Sequence, residues 1–291
     1  MSFSKPRKPN AWQISKPMIE NNLPSAINCT EQPYQAALIL LAHVLQKPKT
    51  WVLAHPETHL NPDQKAHLEQ LISRLQKGEP LPYLTGKQAF FGLDFAVSPA
   101  VLIPRPETEL LVEEALDWLK TRPDAKNVLD VGTGSGCIAI TLATRNPLLA
   151  ITATDLSPAA LEIAEQNAES HQVKAQITFK QTDLLPSGNQ SFDLVCANLP
   201  YIPSKKLEEV NTLGFEPTLA LDGGIDGLRL IRRLLEQLPP RLNCPGLVLL
   251  ETEATLGAET LTLANEAFPQ ANARLLQDLA GLDRLVRIEV L

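Results

Sequence analysis

From residue 126 onward the sequence alternates short apolar runs with segments of helical spacing, and this alternation constrains the fold more than any other feature. The run at 194–197 has no polar alternation, which favours a strand buried on both faces of a parallel sheet. Strands separated by helices predict a doubly wound, mostly parallel α/β sheet. Two later runs, 274–277 and 284–290, are close enough in sequence to pair and place one antiparallel strand in the sheet. The other predicted strands cover residues 128–131, 150–154, 176–180 and 247–251.

The first part of the chain has a different pattern. Residues 34–46 and 61–78 have helical spacing, and the second segment starts with the run Asn-Pro-Asp-Gln, which is typical of a capped helix start. From Glu79, frequent Pro and Gly separate apolar positions that suit short strands joined by turns. We therefore predict a loosely ordered lead-in (1–30), a small all-helical N-terminal domain (31–85), a linking β-hairpin (86–106) and the α/β domain (107–291). The last of these begins with a helix over 107–120 and has another near 226–238.

Composition and charge narrow the class of protein. The 291 residues are 44% hydrophobic, and the formal net charge of -7 argues against a protein that binds mainly to the phosphate backbone of nucleic acids. The four cysteines are scattered and the five histidines show no metal-ligand spacing. No apolar run has membrane-spanning length. We expect a cytoplasmic enzyme with no metal, no membrane partner and no direct nucleic-acid binding.

A glycine-rich turn follows the first predicted strand of the α/β domain. Such a turn lets a ligand approach the backbone, and the next helix aims free N–H groups at that ligand. Cys137 stands where a dinucleotide fingerprint needs its third glycine, and no Gly-Lys-Ser/Thr run of a phosphate loop is present. Alone, the turn is equally consistent with a tight connection. The candidate binding residues of this turn are Gly132, Thr133, Gly134, Ser135 and Gly136.

Acidic residues end the next two predicted strands. Asp155 lies about 20 residues beyond the glycine turn, where a carboxylate accepts hydrogen bonds from both hydroxyls of a ribose. Asp155 could instead start the following helix, but Ser157 and Pro158 already supply an N-cap and a first-turn proline. Asp183 closes the third strand, and Leu184 beside it could pack on a flat base. These strand ends fit an adenosine ligand with an acyclic tail.

A polar corner follows the strand at 194–197, with Asn198, Leu199, Pro200 and Tyr201 in succession. Ligands of open α/β sheets bind beyond the carboxyl ends of the strands, so this corner is the expected place for chemistry. A strand end closed by a turn is the simpler interpretation of any one of these residues.

Together, the turn, the two aspartates and the Asn-x-Pro-Tyr corner resemble a class I S-adenosylmethionine-dependent methyltransferase. Further motifs resemble the release factor glutamine methyltransferases (the PrmC, or HemK, family), a likeness that covers residues 34–291. The family has an Asn-Pro-Pro-Tyr corner, and Leu199 replaces its first proline. The motifs are Y-L-T-G (83–86), F-F-G-L (90–93), L-I-P-R-P-E-T-E (102–109), E-P (216–217), L-D-G-G (221–224) and G-L-D-R (281–284).

The resemblance implies a seven-stranded methyltransferase sheet, S-adenosylmethionine as donor, and methylation of the glutamine in the Gly-Gly-Gln motif of class 1 peptide chain release factors. It also implies that Asn198 and the Leu199 carbonyl accept the substrate amide hydrogens, with Asn198 also bordering the donor. Tyr201 would wall one face of the amide and contact the sulfonium. Phe90, Arg105, Thr108 and Glu109 would line the substrate cleft by the same likeness. Phe90 could equally be core, and Arg105 could pair with Glu107.

Three other functions stay open at this point. The first is methylation of a glutamine in a ribosomal protein, which would use the same chemistry. An adenine-N6 nucleic-acid methyltransferase shares the corner motif, but the acidic charge and the lack of a base-recognition domain speak against it. A protein that binds the donor without catalysis is the third.

Overall fold

The structure, a computed structural model of the chain, describes residues 32–210 and 214–291. The chain divides into two compact units, Met1–Thr85 and Gly86–Leu291. The predicted lead-in over residues 1–30 lies outside the described residues. The other predicted domain boundaries stay predictions. None of the helices in the described ranges has the length and apolar character needed to cross a membrane.

In the first unit, all regular secondary structure of the described residues is helical. The capping box predicted at Asn61 is present, because Asn61 Oδ1 accepts the Gln64 N–H and Gln64 Oε1 accepts the Asn61 N–H. Apolar side chains such as Leu40, Leu41 and Leu68 form its core. Its helices are α1 (Pro33–Leu45), α2 (Lys49–Ala54), α3 (Pro62–Gln76) and α4 (Leu81–Thr85).

The second unit begins with an antiparallel hairpin of β1 (Lys87–Phe90) and β2 (Leu93–Ala96). Its two loop residues, Phe91 and Gly92, have φ angles of 51° and 77°, the positive values that a tight hairpin turn requires. Residues 97–105 form no further strand, although the sequence pattern suits one. Pro99 and Pro104 supply no N–H for a ladder there.

The remaining strands build a seven-stranded sheet and a separate short pair. In the sheet the order is β10-β11-β9-β6-β3-β4-β5, and β11 is the one strand of this sheet that runs opposite to the other six. This confirms the predicted doubly wound sheet and its antiparallel strand. The short parallel pair β7–β8 was not predicted. The strands are β3 (Asn127–Val131), β4 (Ala150–Asp155), β5 (Ile177–Gln181), β6 (Phe192–Ala197), β7 (Ile202–Pro203), β8 (Asp222–Gly224), β9 (Leu242–Glu251), β10 (Asn272–Gln277) and β11 (Asp283–Val290).

Helices cover both faces of the sheet. Val128 belongs to one apolar cluster and the next residue, Leu129, to the other, so the central strands are buried on both faces as predicted. The helix predicted near 226–238 begins only at Arg229, because the Asp226 carboxylate accepts the Leu228 N–H and holds the preceding residues in a turn. The helices are α5 (Glu109–Thr121), α6 (Cys137–Arg145), α7 (Pro158–Ser170), α8 (Ser204–Val210), α9 (Arg229–Gln237) and α10 (Gly257–Ala267).

Candidate active site

Strand register brings the predicted site residues to one edge of the sheet. Val131 pairs with Ala197 on β6 and with Thr154 on β4. The residues that follow these three are Gly132, Asp155 and Asn198, and they therefore lie side by side at the carboxyl ends of the three strands. The chain order of the strands reverses between β3 and β6, which is the switch point where ligands bind in doubly wound sheets.

A cavity of about 540 Å³ opens at this edge. Most of the predicted site residues line it, while Gly136, Tyr201, Phe90 and Glu109 do not. The predicted residues in its wall are Gly132, Thr133, Gly134, Ser135, Asp155, Asp183, Leu184, Asn198, Leu199, Pro200, Arg105 and Thr108.

A buried carboxylate stabilises the glycine turn through hydrogen bonds. Asp130 is 1% exposed, and its Oδ2 accepts the Thr133 hydroxyl at 2.6 Å and the Ala139 N–H at 3.2 Å. Burial raises the pKa of Asp130 to about 6. Gly132 has a φ of 71°, and a Cβ there would lie 3.2 Å from Leu199 Cδ2. Glycine at this position lets the turn and the polar corner approach each other.

Asp155 reaches across to the glycine turn. Its Oδ2 accepts the Gly134 N–H and its Oδ1 accepts the Ser157 N–H, both at 2.9 Å. Burial raises the pKa of Asp155, while these backbone hydrogen bonds lower it. Ser157 is the N-cap of α7, accepting the Ala160 N–H, so Asp155 does not cap the helix. Each carboxylate oxygen accepts one of these backbone bonds and retains a lone pair for a ligand in the cavity.

Asp183 and Leu184 form another part of the wall. Asp183 pairs with Arg233 of α9 at 2.8 Å, with both side chains about half exposed. Leu184 is buried and has a φ of 66°, and its carbonyl accepts the Thr154 hydroxyl at 2.8 Å. This bond fixes a left-handed backbone that presents an apolar side chain to the cavity.

The polar corner is tied to the chain segment before α5. Asn198 Nδ2 donates to Thr108 Oγ1 at 3.0 Å, and Thr108 is 1% exposed. Leu199 is 4% exposed and packs with the apolar side chains of one sheet face. Its side chain is thus part of the core, while its backbone borders the cavity.

Tyr201 lies behind the cavity wall rather than in it. Its hydroxyl donates to Glu251 Oε1 at 3.3 Å, and burial is the main cause that raises the pKa of Tyr201 above its usual value. The structure does not place its ring in the wall, because its hydroxyl is engaged with β9.

Three more predicted site residues do not line the cavity and instead make packing or hydrogen-bond contacts within the fold. Phe90 is 1% exposed and packs edge-on against Phe95, with the ring centroids 6.1 Å apart. Glu109 Oε1 accepts the Phe91 N–H at 2.7 Å, which fastens the hairpin loop. Gly136 is the N-cap residue of α6 and has a φ of 82°, and a Cβ there would lie 2.7 Å from Ile140 Cδ1.

Arg105 lines the cavity and does not pair with Glu107. Its Nη2 donates to Glu216 Oε2 at 2.6 Å, and Glu216 Oε1 accepts the Ile103 N–H at 3.3 Å. The segment before α5 is thereby attached to the segment that precedes β8.

Asp130 and Glu251 are absent from the sequence-predicted site. Each carries a recognisable signal, since an acidic residue inside or at the end of an apolar strand is buried at a cost unless it is paired. Among the described residues, no group of three or more His, Cys, Asp or Glu side chains is placed to hold a metal ion. The predicted absence of a metal stays a prediction.

The cavity fits a nucleoside with an apolar-walled base site. Asp155 offers two acceptor oxygens for a diol, Leu184 offers an apolar surface, and the turn after β3 leaves its backbone open to a ligand.

Solved structures share the fold. The hMettl16 catalytic domain matches with a TM-score of 0.54 at 15% identity, covering 79% of this chain and 83% of that chain. The T. thermophilus 16S rRNA methyltransferase RsmC, solved with AdoMet and guanosine, matches at 0.53 and 16% identity, covering 70% and 50%.

The fold is the seven-stranded sheet of the class I S-adenosylmethionine-dependent methyltransferases, and the cavity lies at the switch point of that sheet. The family model described as PrmC N-terminal domain matches residues 25–86, and the Methyltransferase small domain model matches residues 107–213. Release factor glutamine methyltransferase of Moorella thermoacetica is 41% identical over 256 residues, covering 87% of this chain and 90% of that relative. The protein of the same name from Geobacter sulfurreducens is 38% identical over 287 residues, covering 96% and 97%. The chain belongs to the release factor glutamine methyltransferase family.

Proposed function

We propose that this enzyme transfers the methyl group of S-adenosylmethionine to the side-chain nitrogen of the glutamine in the Gly-Gly-Gln motif of class 1 peptide chain release factors. The hydrogen bond from Asn198 Nδ2 to Thr108 Oγ1 is the observation that carries the proposal. It uses one hydrogen of the Asn198 NH₂ group and leaves Oδ1 as an acceptor for an NH₂ group in the cavity that Asn198 lines.

An amide nitrogen is a weak nucleophile, because its lone pair is delocalised into the carbonyl group. S-adenosylmethionine, when bound, supplies a methyl group on a positively charged sulfur. The chain has to position the nitrogen, and positioning of this kind contributes roughly 7–11 kcal/mol to lowering a barrier.

Asn198 Oδ1 and the Leu199 carbonyl are the two acceptors for the amide hydrogens. Leu199 retains a carbonyl where the family has its first proline, so the acceptor is kept while the fixed φ of proline is lost. The buried Leu199 side chain and Pro200 restrain the corner in its place. A neutral acceptor pair suffices, since the methylated amide loses its proton readily to water.

The donor is held by the other side of the cavity. Asp155 would accept the ribose hydroxyls, Leu184 would pack on the adenine, and the backbone of the turn from Gly132 to Ser135 would border the acyclic tail. Asp183, which pairs with Arg233, lines the same cavity beside Leu184.

The proposal is tested by following radiolabelled methyl transfer from S-adenosylmethionine to purified release factor, ribosomal protein, DNA and RNA in parallel. We expect label in the release factor alone. Asn198→Ala should lower transfer at least about a hundredfold, because an interaction made at the reacting group is lost, while donor affinity measured by calorimetry stays within about threefold. Asn265→Ala, an exposed asparagine on α10, is the matched control and should transfer normally.

Label in DNA, RNA or ribosomal protein in place of the release factor would overturn the assignment of the release factor as the substrate. Near-normal transfer by Asn198→Ala would overturn the role of the corner. A cytoplasmic location and the absence of direct nucleic-acid binding remain parts of this proposal.

A further inference from the structure

Side chains from outside the glycine turn after β3 hold its backbone in place. The three glycines of the turn have positive φ angles, 71°, 55° and 82° in chain order, and glycine by itself favours no single conformation. The Gly134 N–H donates to Asp155, and the Ser135 carbonyl accepts from Asn167 Nδ2 of α7 at 2.8 Å. Asn167 does not line the cavity, so it contacts the turn from behind.

The Asn167 amide is buried, and its hydrogen bonds fix its orientation. The residue is 2% exposed. Its Oδ1 accepts the Ala96 N–H at 2.7 Å, and its Nδ2 donates to the Ala96 carbonyl at 3.0 Å as well as to the Ser135 carbonyl. An N–H only donates and a carbonyl only accepts, so one orientation of the amide satisfies all three bonds. Both hydrogens of the NH₂ group are used, and one of them holds the glycine turn.

Ala96 is the last residue of β2, and the segment that follows it borders the cavity. At the far end of this segment, Arg105 pairs with Glu216 at 2.6 Å. At the near end, Asn167 fixes Ala96. The cavity-lining residues of the segment are Ala100, Val101, Leu102, Pro104 and Arg105. A single amide group therefore connects this part of the cavity wall with the turn on the proposed donor side.

We propose that Asn167 is a positioning residue for donor binding, which holds the Ser135 carbonyl in the conformation that accepts S-adenosylmethionine and couples this conformation to the end of the hairpin. The inference rests on the proposed function, since it concerns the same donor site. Without the bond from Nδ2, the turn populates other conformations, and the donor binds only the competent fraction. Coupling is reciprocal, so a donor that favours the held turn also stabilises the contacts of Asn167 with Ala96.

Asn167→Asp tests the bond to the turn, because an ionised carboxylate keeps the shape and the acceptor for the Ala96 N–H but donates nothing to Ser135. We expect the Kd for S-adenosylmethionine, measured by calorimetry, to rise about tenfold or more, as for the loss of one buried hydrogen bond. With release factor as substrate and saturating donor, kcat should change less than about threefold, since bound donor restores the turn.

Asn243→Asp is the matched control. Asn243 Nδ2 donates to Asp193 Oδ1 at 2.6 Å, at the opposite edge of the sheet. The substitution places two like charges side by side, which lowers the unfolding temperature. The Kd for the donor should nevertheless stay within about twofold of the wild-type value, because the glycine turn is untouched. This control separates a loss of stability from a loss of positioning.

Hydrogen exchange of the wild-type protein, followed by NMR, covers the case in which Asn167→Asp does not fold. Ala96 does not line the cavity, so slower exchange of its N–H in the presence of donor reports the coupling. We expect saturating S-adenosylmethionine to slow this exchange at least about threefold. The Leu149 N–H, which donates to the Asn146 carbonyl at the opposite edge, should exchange at the same rate with and without donor.

Failure of this inference is distinguishable from failure of the proposed function. Wild-type enzyme that transfers no methyl group to release factor overturns the proposed function. The role of Asn167 alone is overturned if wild-type transfer is observed while folded Asn167→Asp binds the donor with wild-type affinity. It is also overturned if donor leaves the exchange of the Ala96 N–H unchanged, or slows the exchange of the Leu149 N–H equally.

Discussion

Two aspartates at neighbouring strand ends have different surroundings in the structure. Asp155 is bonded to the backbone of the glycine turn and of the α7 start, at 2.9 Å in both cases. Asp183 is about half exposed and is neutralised by Arg233. Charge-assisted hydrogen bonds to a ligand are stronger at the more buried group, where water competes less. Asp155 should therefore contribute more to donor binding.

Asp155→Ala is expected to weaken S-adenosylmethionine binding about thirtyfold or more, which corresponds to the loss of one or two hydrogen bonds to a charged group. Asp183→Ala, the matched variant, should weaken it by about fivefold at most, because its charge is screened by solvent. Calorimetric titration with the donor measures both. Equal losses in the two variants would contradict the assignment.

For single residues, the sequence predicts which side chains form the cavity better than it predicts their contacts. Asp155 and Asn198 follow apolar runs, so their places at strand ends can be derived from pattern alone. The contacts of Phe90 and Glu109 depend on how the hairpin folds back, which the local sequence does not encode. Glu251 comes to the same edge of the sheet as Asn198 through the pairing of β9 with β6, two strands far apart in the chain.

The hairpin of β1 and β2 is fixed to the sheet domain by single side chains. Asn167 of α7 is 2% exposed; its Oδ1 accepts the Ala96 N–H at 2.7 Å, and its Nδ2 donates to the carbonyls of Ala96 and Ser135. Glu109 holds the hairpin loop through the Phe91 N–H. Asn167 thus joins the hairpin to the glycine turn.

Asn167→Ala should lower the free energy of unfolding by about 2–3 kcal/mol, since it removes the side-chain hydrogen bonds to the part-buried backbone of Ala96 and to the buried Ser135 carbonyl. Gln166→Ala, at an exposed position of the same helix, should change it by less than about 0.5 kcal/mol. Urea denaturation followed by circular dichroism measures the difference. A loss as small as that of the control would show that the hairpin is held by apolar packing alone.

Elements with a strong local pattern were the most predictable. The central strands are continuous apolar runs, and α3 and α7 begin at caps that are visible in the sequence. The pair β7–β8 has only two and three residues and depends on long-range pairing, so no local pattern indicates it. The expected strands beyond β2 are missing, because prolines interrupt the ladder that apolar alternation would otherwise favour.

For the whole molecule, buried acids link stability to pH. Burial raises the pKa of Glu251 from 4.5 to about 7 and that of Asp130 from 3.8 to about 6. A carboxyl group with a higher pKa in the folded state stabilises the fold below its unfolded pKa and loses this contribution as the pH rises through its folded pKa. For both groups, the free energy of unfolding therefore falls as the pH rises from the pKa of the carboxyl group in the unfolded state to its pKa in the folded state.

Glu251→Gln should remove this contribution for one group. Between pH 5 and pH 8, the free energy of unfolding of the variant should rise by about 2 kcal/mol relative to wild type, because a pKa unit corresponds to about 1.4 kcal/mol. The pKa of Glu253 lies below its usual value of 4.5, although burial alone would raise it. Glu253→Gln should accordingly show the same difference at both pH values. A constant difference for Glu251→Gln would mean that its carboxyl is not perturbed by folding.

Mass spectrometry of the substrate shows whether this enzyme methylates one glutamine through the corner at Asn198. Unmethylated class 1 release factor is incubated with the protein and S-adenosylmethionine, and its intact mass and peptide masses are determined. We predict one added methyl group, on the glutamine of the Gly-Gly-Gln motif, and none with Asn198→Ala. A methyl group on another residue, or none while calorimetry still detects donor binding, would contradict the account.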